Sequence, residues 1–317
     1  MEPIYTINDD IINSVAEIVK KESDLNHTTI KQDLHLRRVS RMHSVSASVR
    51  IEQNTLSDSE IIDCINGKTV VGPENDIKAV KNAWKAYELL DYLDAFSLDD
   101  LMKAHGIMME GLTREAGMFR RGNVGVADSE GNLLHMGAMP YLVPSLISEL
   151  LSWVRKSNLP MLVKSAIFHV EFEMIHPFAD GNGRMGRLWH SLLLASYDNI
   201  YSMVPIENLI LKHQEDYYHV LNIASITGDS TKFIMFMLDI INEALTDILS
   251  KSHAPLVPTK WELISAYLDG HDYISNKDVC NVLNVSSATA TRVLKKFDDE
   301  GKLIRIKVGK LTAYIRR

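Results

Sequence analysis

Over the first 250 residues, apolar side chains recur mostly at helical spacing. In residues 80–93, Val80, Ala83, Trp84, Tyr87, Leu90 and Leu93 fall on one face, and the same period returns in 142–153, 161–174 and 188–197. Each stretch predicts an amphipathic helix. Asn8 or Asp10 is placed to cap a first helix reaching about Lys21, and Ser97 with Asp100 three residues on reads as another helix start. Residues 117–140 have a different texture. They are glycine-rich, with two short apolar runs on either side of Asp128-Ser129-Glu130-Gly131, which predicts a β-hairpin or flap on a helical body. The most apolar window, 233–238, is broken at Asp239, well short of the about 20 residues a membrane span needs, and reads as a buried helix.

Pro255 and Pro258 interrupt the helical pattern and mark a boundary. Beyond it the pattern predicts helices over 260–268, 276–283 and 286–299, with a turn at Asn284-Val285, then strands over 303–308 and 311–315 around Gly309-Lys310. This layout resembles the winged helix-turn-helix family, with 286–296 in the recognition-helix position. Charge changes sign here. Residues 258–317 carry 11 Lys+Arg against 7 Asp+Glu, a net of +4, and the remainder of the chain carries −11. Arg292, Lys295 and Lys296 favour nucleic-acid contact, and Asp298-Asp299-Glu300 directly after them oppose it, so contact with DNA and contact with protein both stay open for this segment.

The 317 residues are 46% hydrophobic and 24% charged, with a net charge of −7. That is the usage of a globular protein of two or three domains, and not of a chain that coats nucleic acid wholesale. Cys64 and Cys280 form no metal-spaced cluster, which argues against a disulfide framework and a structural zinc site and for a reducing compartment. The first ten residues lack the basic and apolar regions of a signal peptide, so the expected location is cytoplasmic, away from any membrane.

The chemistry concentrates in residues 176–187, HPFADGNGRMGR. Asp180-Gly181-Asn182-Gly183 predicts a turn, and apolar periodicity resumes at Met185 and Leu188, so the turn opens onto a helix N-terminus. Free N–H groups there form an anion nest suited to phosphate, to which Arg184 and Arg187 add bidentate donors. Asp180 offers a hard oxygen of the kind Mg²⁺ takes beside nucleotide phosphates, and His176 is a candidate general base. Together these groups suggest transfer from a nucleotide to a hydroxyl. A P-loop reading fails for want of the Lys and Ser/Thr after Gly186, and an EF-hand reading fails because Ser191 stands where the closing Glu belongs. His105, His135, His169 and His190 show no HxxH or HExxH spacing, and they read as packed or surface histidines.

The segment meets every fixed position of HxFx(D/E)GNGRxxR, the core motif of Fic proteins, and the chain resembles that family over roughly residues 40–245. The resemblance implies a mainly α fold: a helical Fic fold with a β-hairpin flap, joined to the small C-terminal α+β winged-helix domain. It divides the chain into an N-terminal helical region, 1–110, a catalytic core, 111–252 (continuing from about 95 to 245), and the C-terminal domain, 258–317. It implies transfer of AMP from ATP to a Ser, Thr or Tyr hydroxyl, with release of pyrophosphate. His176 would deprotonate the target, Phe178 would anchor the loop, and Asp180 would hold Mg²⁺. Gly181, Asn182, Gly183, Arg184, Met185, Gly186 and Arg187 would line the polyphosphate, with Arg187 on the γ-phosphate. Tyr217, Tyr218 and Asn222 would lie near the adenine. Gly183 stands where Doc-like kinases carry Lys. A target protein, or the chain itself, would dock as an added strand along the flap, 117–140, and a homodimer is implied.

A second motif concerns control. One class of Fic proteins carries (S/T)xxxE(G/N) on an inhibitory helix, and Ser48 to Glu52 fits it within a helix expected over about 42–55, with Gln53 where Gly or Asn is usual. The resemblance implies that Glu52 pairs with Arg187 and blocks the γ-phosphate. The same glutamate is also suited to position a water that removes AMP. A nucleotide-sensing DNA-binding regulator is the competing reading.

Overall fold

The computed structural model describes residues 2–26, 34–127, 133–253, 260–308 and 311–317. They form two compact units, Met1–Ser252 and His253–Arg317. The hairpin turn expected at 128–131, the prolines of the boundary and Gly309-Lys310 lie outside the described residues.

The larger unit is helical: α1 (Asp9–Asn26), α2 (Leu34–Ile51), α3 (Asp58–Ile65), α4 (Glu74–Glu88), α5 (Leu98–Met108), α6 (Val143–Lys156), α7 (Met161–Ile175), α8 (Asn182–Tyr197), α9 (Ile206–Lys212), α10 (Gln214–Thr227) and α11 (Thr231–His253). Between α5 and α6, β1 (Gly125–Ala127) and β2 (Leu133–Met136) pair antiparallel. The caps work as their sequences suggest. The Asn8 side chain accepts from the Ile11 N–H, and Ser97 accepts from the Asp100 N–H. Several boundaries differ from the pattern. The 80–93 face belongs to a helix that begins at Glu74 and gives way after Glu88 to a 3-10 turn, and α1 continues to Asn26.

The centre of the unit is α7, which is apolar on all sides, and such a helix must be buried all round. Phe168, Phe172 and Ile175 face a core shared with α4, α5, α6 and α8, whereas Leu162, Val163, Ala166, Ile167 and Val170 face a second core built with α1, α9 and α11. Phe233, Ile234, Met237 and Leu238, from the most apolar window, are wholly buried in the second. Among the described residues no helix is long and apolar enough to cross a membrane.

The smaller unit contains α12 (Lys260–Asp269), β3 (Ile274–Ser275), α13 (Asn276–Leu283), α14 (Ser287–Asp299), β4 (Leu303–Val308) and β5 (Leu311–Arg316). Its antiparallel sheet has the order β3-β5-β4, and the short strand β3, with no pattern of its own, was not legible in the sequence. Asn284 caps α13 in the left-handed region, where Asn is tolerated. Cys64 and Cys280 are both free thiols.

One buried carboxylate ties α2 to the body. Glu207 on α9 accepts hydrogen bonds from Ser44 (2.5 Å), the Tyr87 hydroxyl (2.9 Å) and Ser191 (2.8 Å), joining α2, α4 and α8. Glu207→Ala is expected to destabilise the larger unit by about 3 kcal/mol, because three buried hydroxyls lose an acceptor at once. Denaturant unfolding of the two proteins measures the difference.

Candidate active site

The site begins where α7 stops. His176 takes a left-handed conformation (φ +53°), its N–H returns to the Phe172 carbonyl (2.9 Å), and Pro177 forbids further helix. A left-handed histidine is strained, and the surroundings hold it there. Buried Arg120 donates from Nε to the His176 carbonyl (2.6 Å), from Nη1 to that of Gly122 (2.8 Å), and from Nη2 to those of Ile175 (3.2 Å) and Ala138. One guanidinium thus fastens both ends of the flap to the backbone of the histidine. Gly137 gives it room, since a Cβ there would lie 2.8 Å from the guanidinium.

Phe178 is buried and stacks on His105 with centroids 3.6 Å apart. The Gly117 N–H donates to His105 Nδ1 (2.9 Å), so the ring proton is on Nε2, which donates to the Asp180 carbonyl (3.0 Å). Burial pushes this imidazole down to about 4, which keeps it neutral. The Asn182 amide grips the Phe178 backbone from both sides at 2.9 Å. Gly181 (φ +86°) then turns the chain into α8, whose first residues are Asn182 and Gly183.

Arg187 is 1% exposed. Its Nε donates to Ser48 Oγ (3.2 Å), and its Nη2 donates to the Ser48 carbonyl (3.1 Å) and to Glu52 Oε1 (2.6 Å). Burial opposes both charges, but each overrides that cost for the other. Glu52 is held below the ordinary carboxylate range and Arg187 above the ordinary guanidinium range. The helix bearing Ser48 ends at Ile51, so Glu52 sits in the turn just after α2, and the span expected over 42–55 is displaced. Gln53 is left-handed (φ +62°), which explains why Gly or Asn suits that position better.

A cavity of about 310 Å³ is lined by Glu52, Gln53, Glu173, His176, Gly183 and Arg187, together with Tyr217, Tyr218, Leu221, Asn222 and Ser225 of α10. A second, of about 210 Å³, is lined by Asp180, Arg184, Asn54, Asp76 and again Glu52, which forms the wall between the two. Arg184 lies 3.3 Å from the Asp180 carboxylate. Asp180 is 59% exposed there, and its carboxylate is chemically of the kind that fits a magnesium ion, which commonly takes one or two carboxylates and completes its shell with phosphate oxygens. Tyr217 is both wall and core: it is buried, and its hydroxyl meets His169 Nε2 at 3.0 Å.

Two expected phosphate contacts are not placed for that role. The Met185 side chain is in the core and its N–H is spent on the Gly181 carbonyl (3.0 Å), while Gly186 lies against Glu173 and His169. Asn182 has its side chain engaged on Phe178, which leaves only its backbone for an anion. His105, His169 and His190 are buried; the side chain of His135 lies outside the described residues.

Two residues of the site, Arg120 and Glu173, lie outside the motif. Arg120 carried no periodic signal. Glu173 could have been found from its spacing, three residues before His176 on one helix face. Its backbone carbonyl accepts from His176 Nδ1 at 3.2 Å, and its carboxylate Oε2 lies 3.9 Å from the same atom.

The family model described as Fic/DOC matches residues 95–194. A Fic family protein of known structure from Desulfovibrio desulfuricans is 35% identical with a TM-score of 0.78, covering 100% of this chain and 98% of that one. The chain belongs to the Fic family. A protein adenylyltransferase Fic of Aedes aegypti is 30% identical over 62% of this chain and 40% of its own length. A probable protein adenylyltransferase of Aquifex aeolicus is 48% identical over 17% of this chain and 18% of its own. The chain therefore spans less than half the length of these two relatives. Fic-1 of Caenorhabditis elegans, 19% identical with a TM-score of 0.64 over 76% of this Fic chain and 72% of its own, shares the fold.

Two outcomes test the local physics. Gln53→Gly is expected to stabilise the larger unit by about 1 kcal/mol in urea unfolding, because the left-handed strain disappears. Burial raises the Glu173 carboxyl from the ordinary 4.5 to about 8. An acid raised on folding stabilises fully below its unfolded value and loses that contribution as pH climbs to the folded value. Glu173→Gln should thus match wild type near pH 4 and become progressively more stable than it between pH 4.5 and 8, as thermal melts across pH would record.

Proposed function

We propose that this Fic protein transfers AMP from ATP to a hydroxyl of a target protein, and that Glu52 holds it inactive. The observation that carries the reading is the 2.6 Å contact of Glu52 with Arg187 inside the cavity shared by His176 and Gly183. A triphosphate needs that guanidinium, and an internal carboxylate already occupies it.

His176 Nδ1 donates to the Glu173 carbonyl, so the Nε2 lone pair is the base. It takes the proton of the target hydroxyl, whose oxygen attacks the α-phosphorus. The bond from that phosphorus to its bridging oxygen breaks, and pyrophosphate leaves with the electron pair. Backbone N–H groups at Asn182 and Gly183, with Arg184 and Arg187, answer the phosphate charge. Asp180 would hold magnesium, which when bound neutralises phosphate charge. Tyr217, Tyr218, Leu221 and Asn222 offer an amphipathic wall for the base of the nucleotide. The β1–β2 hairpin, fastened to His176 through Arg120, offers main-chain groups on which a target strand can pair beside the histidine. The +4 charge of residues 258–317 is suited to a separate DNA or protein contact, and two copies of the chain are expected to associate.

Incubation with α-labelled ATP and magnesium tests the proposal. Glu52→Gly is expected to label protein at least tenfold above wild type, and Glu52→Gly/His176→Ala to return to background. No label in Glu52→Gly while ATP still binds would overturn it.

A further inference from the structure

Glu173 is an acid that the family motif does not use, yet the fold has made a place for it. It stands one turn before His176, 14% exposed, on the floor of the larger cavity. Oε2 is 3.9 Å from His176 Nδ1, and buried Oε1 has no hydrogen-bond partner among the described residues. Directly opposite, α8 carries Gly186; a Cβ there would come within 2.6 Å of Oε1. Any larger residue at 186 would drive the carboxyl away. A buried carboxyl oxygen left unanswered costs stability, and the fold retains it here.

We infer that Glu173 is a positioning residue for His176, its carboxylate stabilising the imidazolium that forms when the histidine removes the target hydroxyl proton. This rests on the adenylylation reading above. In that step the proton moves to Nε2, Nδ1–H stays on the Glu173 carbonyl, and the ionised carboxylate faces the new positive charge. The imidazolium afterwards returns its proton to solvent, so nothing else is consumed.

The groups facing Glu173 are His176 and His169 from its own helix, Arg187 from α8, Tyr217 and Tyr218 from α10, and Glu52 from the turn after α2. Burial, foremost, and the Glu52 charge favour its neutral form, and Arg187 favours the ionised one. Removing Glu52 takes away one raising influence and releases the Arg187 charge. Both changes lower the carboxyl from about 8 and favour its ionised form.

Label transfer is to be followed against pH in Glu52→Gly and in Glu52→Gly/Glu173→Gln, with the His176 imidazole titrated by NMR in both. In Glu52→Gly, kcat is expected to climb through an ionisation below pH 8. The Gln variant should keep only the limb set by His176 itself, moved to lower pH, and fall about tenfold in kcat, with its His176 midpoint lower by about one pH unit. An identical pH profile together with an unmoved His176 midpoint overturns the inference. If Gln disturbs folding, Glu173→Met, which also lacks the acid, is read by the same two criteria. If Glu52→Gly transfers no label, the adenylylation reading fails, and the His176 midpoint still decides whether Glu173 acts on the histidine.

Discussion

A guanidinium buried to 1% exposure has to be answered, and in this protein the answer is Glu52. Leaving Arg187 unpaired in that setting would cost several kcal/mol. The placement of α2 follows from this need. Ser48 reaches Nε and its carbonyl reaches Nη2, and Ser44, one turn earlier, is anchored on Glu207. Arg187 lines only the larger of the two cavities, with Glu52 a third exposed beside it. That cavity is the side from which an anion could compete for the same arginine.

The second constraint is the reversal between α7 and α8. The chain must leave a helix buried on every side, present a histidine, and start a new helix within a few residues. It does so with a left-handed His176, a proline, a buried phenylalanine and a left-handed Gly181. None of these is stable alone. Arg120 from the flap, His105 from α5 and Asn182 from α8 each donate to backbone carbonyls of the reversal. These bonds hold the carbonyls of the loop in one arrangement, the kind of preorganisation from which phosphate chemistry benefits. The flap is tied to the same carbonyls, so a strand paired there would lie against a fixed histidine.

Two acids of the helical unit, Glu207 on α9 and Glu173 on α7, have contrasting fates. Glu207 accepts three hydroxyls and serves as a fastener. Glu173 has an unanswered oxygen and a carboxyl raised to about 8. Raised acids of that kind gather at sites where protons move.

The sequence by itself determined many of the helices, because apolar period and caps such as Asn8 and Ser97 are local properties. It also determined the family, since HPFADGNGRMGR holds its chemistry within one turn and its flanks, and it carried Ser48 and Glu52 as a motif. It did not reveal the short strand β3, which exists only as the partner of β5. Which motif residues face the cavity was likewise a tertiary decision. Met185 turns into the core and Gly186 makes room for Glu173, because α8 packs against α7 along that side. Arg120 has no local signature at all: its role arises from four carbonyls brought together by distant segments of chain. The same is true of Glu173, whose chemistry depends on burial and on charges arriving from α2 and α8, and burial is a property of the folded molecule.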